Sequence, residues 1–308
     1  MKAIRLHEYG PAENLKFEED VPAPVLTANA VLIEAAAASI NPIDWKVRSG
    51  ARQKDFPRSL PAILGHDVSG TVRAVGEEVR TFKVGDRVIA LSDATYAQWV
   101  VVDAAVVAHL PDGVDLVDAA ALPLVALTGE QLVRLATRVR SGQTIVVSGA
   151  LGGVGRAAVH TASKMGARVI AAVRARQLEQ ARELGVFDAI AVDDDEAIAR
   201  LGAVDAVADT VGGEIAAKLF RRVKEGGSFG FASVLPEGTA LLNPSVTVTR
   251  VFAKPDASKL REFADDVRDG KFVLPISQRM PLAETARGHA LMEKGGAGKI
   301  VLVIPPAS

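Results

Sequence analysis

The sequence predicts an α/β protein in which a doubly wound, parallel-sheet domain is joined to a smaller β-rich domain. Three observations predict this. Thr144–Gly155 (TIVVSGALGGVG) runs a β-branched apolar stretch straight into a glycine-rich turn. From there to about residue 253, strand and helix patterns alternate, as a parallel sheet requires. Ahead of it, residues 1–118 read as short strands divided by Gly and Pro.

Composition narrows the function classes. With 308 residues, 49% of them hydrophobic, the chain is long enough for two cores. Lys and Arg number 36 against 37 Asp and Glu, a net charge of −1 with no basic block, so nucleic acid has no electrostatic footprint. There is no cysteine, which excludes disulfides, thiol catalysis and Cys-ligated zinc. No apolar run reaches about 18 residues, so no membrane span is expected. The opening MKAIRLHEYG is too polar for a secretory signal. A cytoplasmic protein is the expectation.

Taken in order, Met1–Leu6 alternates as a strand, and Pro11, Pro22 and Pro24 punctuate the stretch after it. Ala30–Ala38 lies between turn signals and reads as strand. Asn41-Pro42 makes a turn, with Pro42 suited to the first turn of a short helix. Leu64–Gly76, Phe82–Ala90 and Tyr96–Val102 each lead into or contain a strand. Residues 119–129 turn helical, which places a domain boundary after residue 118. Then come the strand Ile145–Val147, the helix Arg156–Gly166 and the strand Arg168–Val173. Beyond them lie helix Gln177–Leu184, strand Ala189–Val192, helix Glu196–Leu201, strand Ala203–Asp209 and helix Ile215–Val223. Strands Gly227–Ala232 and Ser245–Ala253 bring the count to six, that of a full Rossmann dinucleotide-binding domain over residues 119–254. Ser258–Asp269 and Leu282–Glu293 are amphipathic helices. The apolar terminal strand Lys299–Ile304 must pair with something, most simply the N-terminal β domain. That domain is then discontinuous, comprising 1–118 and 255–308.

The glycine turn carries chemistry. Glycine lets the backbone approach a pyrophosphate with no Cβ in the way, and the free N–H groups of the adjoining helix point at the anion. Gly152, Gly153 and Val154 are the expected cradle, and Ala150 stands where the usual G-x-G-x-x-G pattern begins with Gly. Loops after the strand ends should rim the cofactor, including Arg174, Ala232 and Ser233. An NAD-preferring site places Asp or Glu after the second strand. Here the tip reads Ala171-Ala172-Val173-Arg174-Ala175-Arg176, with two arginines for a 2′-phosphate and no acid to repel it. The expected cofactor is NADPH.

With NPIDWKVRSG (41–50), LGHDVSGTVRAVG (64–76), FKVGDRVIA (82–90), AALPLVALTG (120–129), GALGGVG (149–155), DTVGG (209–213), GGSFGFAS (226–233) and GKIVLVI (298–304) in this order, the chain resembles the medium-chain dehydrogenase/reductase superfamily, and more narrowly its zinc-independent quinone oxidoreductase (zeta-crystallin-like) branch. The resemblance spans essentially the whole length. It implies a GroES-like β domain and a Rossmann domain with substrate in the cleft between them. It also implies NADPH-dependent reduction of quinones or α,β-unsaturated carbonyls, often in a homodimer joined through the Rossmann sheets. Asn41 and Asp44 would sit near nicotinamide and substrate, Thr128 would flank the cofactor, and Gly152, Gly153 and Val154 would hold the pyrophosphate.

The departures matter as much. The alcohol-dehydrogenase branch places a zinc-binding Cys near residues 41–43 and uses the His of a G-H-E segment. Here the segment is Gly65-His66-Asp67 and no Cys exists. A lone His with carboxylates is more often a hydrogen-bonded structural group than a metal ligand. Tyr96, at a strand start, reads as packing. Negative charge developing on a substrate oxygen needs a donor: the Asn41 amide, a backbone N–H or water, with His66 as a further proton donor. Asp44 orients its neighbours or caps the helix. Two other readings share the sequence: a zinc-free alcohol or carbonyl dehydrogenase, and a non-enzymatic NADPH-binding sensor.

Overall fold

The computed structural model describes residues 1–306. The expected first domain runs to residue 308, and its last two residues lie outside the described ones. The chain forms two compact units: Met1–Leu124 with the stretch from Pro255 on, and Val125–Lys254.

In the first unit, β1 (Ala3–Leu6) pairs antiparallel with β2 (Leu15–Glu18). β3 (Ala30–Ile40) is eleven residues long; eight are buried and the other three half-buried. Asn41 caps α1 (Pro42–Arg48), with Pro42 in its first turn as the sequence predicts. β4 (Ala62–Ile63), β5 (Asp67–Val75), β6 (Arg87–Leu91), β7 (Trp99–Asp103) and β8 (Val107–His109) come next. β3 is the spine. β5 runs along one edge, from Val31↔Val75 to Ser39↔Asp67, and β7 takes the other edge of its first half, from Ala30↔Asp103 to Glu34↔Trp99.

A 3-10 turn, Asp118–Ala121, leads into α2 (Pro123–Gln131), which continues as a π-helical turn over Leu132–Thr137. The division between units falls after Leu124, not after residue 118. The reason is local: Ala120 and Ala121 pack with Ala37 and Val301, and the Leu124 N–H donates to Asp67 Oδ1 at 2.7 Å. The helical run Asp118–Thr137 is also long and apolar enough to cross a membrane, contrary to the reading from sequence; 83% of its apolar 18-residue stretch is buried inside the protein, as in a core helix.

The second unit contains β9 (Thr144–Ser148), α3 (Gly153–Lys164), β10 (Arg168–Val173), α4 (Leu178–Arg182), β11 (Asp188–Ala191), α5 (Asp195–Arg200), β12 (Val204–Asp209), α6 (Gly213–Phe220), β13 (Val223–Phe231) and β14 (Thr247–Arg250). All pairings in its sheet are parallel, in the order β11-β10-β9-β12-β13-β14. This is the doubly wound arrangement, with β9 and β12 diverging at the switch point. β9 reads as uninterrupted Ile-Val-Val because both its faces are covered: Ile145 and Val147 enter one core, Val146 the other. Val223 opens β13 instead of ending a helix, and β14 is shorter than Ser245–Ala253.

The chain returns to the first unit as α7 (Ala257–Arg268), β15 (Ile276–Pro281), α8 (Thr285–Lys294) and β16 (Lys299–Val303). β15 was not legible in the sequence. β16 pairs antiparallel with the second half of β3, from Ile300↔Ile40 to Val303↔Ala37, so β7 and β16 share one edge of that strand. Gly298 sets up β16: its φ is +69°, and a Cβ there would meet Ser277 Oγ at 1.9 Å.

Candidate active site

Strand register builds the first constellation. Ser39 lies across from Asp67 on β5, while the Ile300↔Ile40 pair brings Lys299 beside Asn41 on the other edge of β3. Asn41 Nδ2 donates to Asp67 Oδ2 at 2.7 Å, and Ser39 Oγ donates to the same oxygen. Lys299 Nζ donates to Asn41 Oδ1 at 2.8 Å and to Asp67 Oδ2 at 3.2 Å. Asp67 is fully buried, and Asn41 and Lys299 nearly so. A buried carboxylate and a buried ammonium are tolerable because each finds the other along with neutral partners.

Helix α1 builds the second. Asp44, in its first turn, accepts the Asn41 backbone N–H at Oδ2 (2.7 Å), the capping role. The same oxygen accepts the Tyr96 hydroxyl at 2.9 Å, and Oδ1 accepts His66 Nδ1 at 2.6 Å. Tyr96 is fully buried, as packing required, yet its hydroxyl belongs to this polar cluster. Since that hydroxyl donates to Asp44, His289 Nε2, 3.3 Å away, donates to the Tyr96 oxygen, and His289 Nδ1 has no partner.

Electrostatics sort these groups. Burial disfavours a charged His66, but the adjoining Asp44 carboxylate, helped by Asp93 and Asp67, prevails and holds the imidazole above its ordinary range. Burial likewise works to raise Asp44, and the His66 charge and hydrogen bond overcome it, keeping the carboxyl below its usual range. Burial pushes His289 down to about 4 and drives Tyr96 well above its ordinary value. The His66 side chain keeps 15% of its surface exposed while Asp44 keeps none, so His66 is the member of the pair that reaches solvent. Its Nε2 lies 3.5 Å from Asp93 Oδ1. Of the predicted catalytic set, Asn41, Asp44 and His66 are therefore brought into one network. Asp67, Lys299, Tyr96 and His289 complete it. The signal for two of these was in the sequence: Asp67 ends the Gly-His-Asp segment, and Lys299 is a charge opening an apolar strand.

The second unit holds the other predicted residues, all but Thr128 just after the C-terminal ends of its strands. The β9–α3 turn has Gly149 at φ +62° and Gly152 as the cap of α3. Gly155 permits the close approach of that turn, since a Cβ there would meet Gly149 O at 2.1 Å. Ala150 is fully buried in the core that also holds Ala158, so its methyl fills space a glycine would leave empty. Gly153 and Val154 form the first turn of α3 with N–H groups that have no partner within the helix. Thr128 is on α2 and nearly buried; beside it, Gly129 lets α2 lie against α3, where a Cβ would meet Val154 O at 2.5 Å.

At the switch point Ser148 Oγ donates to Asp209 Oδ1 at 2.6 Å, tying β9 to β12. Asp209 also accepts the Gly212 N–H at 2.9 Å, and burial pushes its carboxyl up. Ala232 N–H donates to Asp209 O (3.0 Å) and Ser233 Oγ to Val211 O (3.1 Å), fixing the loop after β13. Arg174 and Arg176 come directly after β10 and are exposed; the turn that carries them is pinned by the Ala175 N–H on Asp193 Oδ1 at 2.7 Å. A glycine turn without obstructing Cβ atoms, a helix N-terminus and this strand order suit a dinucleotide.

Comparison with known proteins points the same way. Residues 27–112 match the family model described as alcohol dehydrogenase GroES-like domain, and residues 184–302 the one described as zinc-binding dehydrogenase. A quinone oxidoreductase of Pseudomonas aeruginosa is 33% identical over 327 residues, covering 98% of this chain and 99% of that protein. The structure of the quinone oxidoreductase from Coxiella burnetii matches with a TM-score of 0.86 at 29% identity, covering 99% of each chain. A mycobacterial protein complexed with NADPH matches with a TM-score of 0.81 at 28% identity, covering 98% of this chain and 100% of that one.

The residues present do not fit zinc. The chain has no cysteine. His66 could offer only Nε2, since Nδ1 is held by Asp44, and the other polar groups nearby, Asn41 and Asp67, are committed to the Lys299 ammonium. Among the described residues no group of three or more His, Asp or Glu side chains is arranged to hold a metal ion. Fold, motif order and full-length similarity agree: this chain is an oxidoreductase of the medium-chain dehydrogenase/reductase superfamily and belongs to its quinone oxidoreductase branch.

Proposed function

We propose that the protein is an NADPH-dependent, zinc-independent reductase of quinones or α,β-unsaturated carbonyls. The observation that carries the cofactor choice is the end of β10, where Arg174 and Arg176 stand exposed and the chain supplies no acid before them. The two guanidiniums bind the 2′-phosphate and the N–H groups of Gly153 and Val154 bind the pyrophosphate, while Gly152, whose own N–H donates to Gly149 O at 2.9 Å, leaves room for it. Thr128 flanks the cofactor. Bound NADPH supplies the hydride.

The protein then handles the proton. Asn41 is 1% exposed and its amide is engaged with Asp67 and Lys299, which makes it a supporting group. His66 is the proton donor: Nδ1 is held by Asp44, leaving Nε2–H to protonate the reduced substrate. A hydroquinone oxyanion can also take its proton from water, whereas the α-carbon of a reduced enone benefits more from a placed acid. The edge strand β14, with exposed Phe252 just beyond it, is the proposed seam of a homodimer.

The test is direct. NADPH and NADH are titrated against the protein by fluorescence, and NADPH oxidation is followed with 1,4-benzoquinone and with but-3-en-2-one. Tighter NADPH binding and acceptor-dependent oxidation are expected. Tighter NADH binding would overturn the arginine assignment, and tight NADPH binding without oxidation of any acceptor would replace the reductase with a sensor.

A further inference from the structure

We propose that Lys299 is a positioning residue for this reaction: its buried ammonium fixes the Asn41 side chain and neutralises Asp67, and through Asn41 it holds the turn that presents Asp44 to His66. The inference rests on the reductase reading and goes beyond it.

The placement comes from register. β16 enters beside β3 with Ile300 across from Ile40, so Lys299, the first residue of β16, meets Asn41, the residue that follows β3. Lys299 therefore arrives at Asn41 from 258 positions away in sequence, delivered by the Gly298 turn. The ammonium has only hydrogens to offer, so the Asn41 amide has one orientation: Oδ1 toward Lys299 (2.8 Å) and Nδ2 toward Asp67 (2.7 Å). A flipped amide would set NH₂ against NH₃⁺.

Consequences run in two directions from this cation. Toward the proton donor, the fixed Asn41 gives its backbone N–H to Asp44 Oδ2 (2.7 Å), and Asp44 Oδ1 receives His66 Nδ1 (2.6 Å). Toward the cofactor side, Asp67, balanced by Lys299 at 3.2 Å, accepts the Leu124 N–H (2.7 Å) in the first turn of α2, the helix that carries Thr128. An ammonium cannot act as a Lewis acid on a substrate oxygen, so its contribution is geometry and charge balance.

The test is a double-mutant cycle on the full chain, Lys299→Met against Asn41→Ala, reading kcat and KM for 1,4-benzoquinone, NADPH affinity by fluorescence, and Tm. If Lys299 acts through Asn41, each single variant lowers kcat about ten-fold with KM and NADPH affinity little changed, and the double variant loses no more than the worse single. Unchanged kcat in Lys299→Met, or losses that multiply, would overturn the proposal. Lys299→Met strands the Asp67 charge and lowers Tm. Should it fail to fold, the comparison moves to Lys299→Met/Asp67→Asn, which strands no charge and is expected to regain Tm; there, adding Asn41→Ala must cost no further kcat. A further loss on that background, or no recovery of Tm, counts against positioning and against charge balance respectively. Wild-type protein that binds NADPH but reduces no acceptor would remove the reductase reading itself, a result read without any variant.

Discussion

Asp44 Oδ1 and His66 Nδ1 lie 2.6 Å apart, one fully buried and the other partly open to solvent. A hydrogen bond of that length to an ionised partner fixes both the ring's orientation and its tautomer. If His66 gives the proton, His66→Gln should lower enone turnover about 100-fold while leaving NADPH affinity unchanged, and should affect benzoquinone less. Turnover of both acceptors at the wild-type rate would remove His66 from the reaction.

The same pair predicts a pH profile. The Asp44 carboxylate is what holds His66 above its ordinary range against burial. The acid form therefore persists to higher pH than in a free imidazole, and kcat for the enone should fall as pH rises through that elevated range. Asp44→Asn removes the charge, so the falling limb should move to lower pH. A limb that stays in place in Asp44→Asn would mean another group titrates.

His289 supplies a separate prediction, about stability. Its folded-state value is pushed down to about 4 from 6.5 by burial, so the folded protein keeps it neutral where the unfolded chain protonates it. No stability is lost above pH 6.5. Between pH 6.5 and about 4 the unfolded state takes up the proton, at a cost of ~3 kcal/mol when complete. The companions work elsewhere: His66, raised, contributes fully below 6.5 and loses its contribution at higher pH, and Asp44, lowered, loses its contribution only at more acid pH. Thermal melts at pH 7 and pH 5 should therefore show a Tm drop in wild type that is smaller in His289→Leu. Equal drops in the two proteins would count against a buried neutral imidazole.

Much of the fold and part of the site were legible in the sequence, for identifiable reasons. Strand β9 and its turn announce themselves because Ile145–Val147 is buried on both faces and Gly155 has no room for a side chain. Asn41, Asp44 and His66 lie in two short motifs close together in the chain, so local sequence brought them to notice. Lys299 and His289 escaped because their roles depend on β16 and α8 returning to β3 and Tyr96, and long-range pairing leaves no local periodicity. β15 escaped for a related reason: Ile276–Pro281 alternates exposed residues with half-buried Ile276 and Gln278 and buried Met280, and it is recruited only by pairing with β16.

The glycine turn separates folding from binding. At Gly155 an added methyl would sit 2.1 Å from Gly149 O, a backbone atom that cannot step aside. Gly155→Ala should destabilise the second unit by about 2–4 kcal/mol and abolish NADPH binding with it. At Gly152 the nearest atom to an added Cβ is Gly149 O at 3.3 Å, and the residue is exposed. Gly152→Ala should leave Tm nearly unchanged yet weaken NADPH, because the methyl occupies space the pyrophosphate needs. Melting curves and fluorescence titrations on the two variants check the contrast, and equal Tm losses would show that the turn is purely structural.

Under the proposed function, the arginine pair after β10 decides cofactor choice. Arg174 and Arg176 are exposed and sit on a turn pinned by Asp193 through the Ala175 N–H, so the backbone that presents them should survive their truncation. A charge-assisted contact to the 2′-phosphate contributes ~1.5–3 kcal/mol, so Arg174→Ala/Arg176→Ala should weaken NADPH about ten- to a hundred-fold. NADH has no 2′-phosphate, and its affinity should change by less than about two-fold by the same reasoning. High salt should erode wild-type NADPH affinity more steeply than that of the double variant, because exposed charge pairs are screened. Replacing Arg174 with Glu should go further, repelling the 2′-phosphate and offering a carboxylate to the ribose hydroxyls of NADH. If both cofactors weakened together, the arginines would be acting on the shared pyrophosphate or on the fold, and the NADPH preference would have to come from other residues at the ends of β10 and β11.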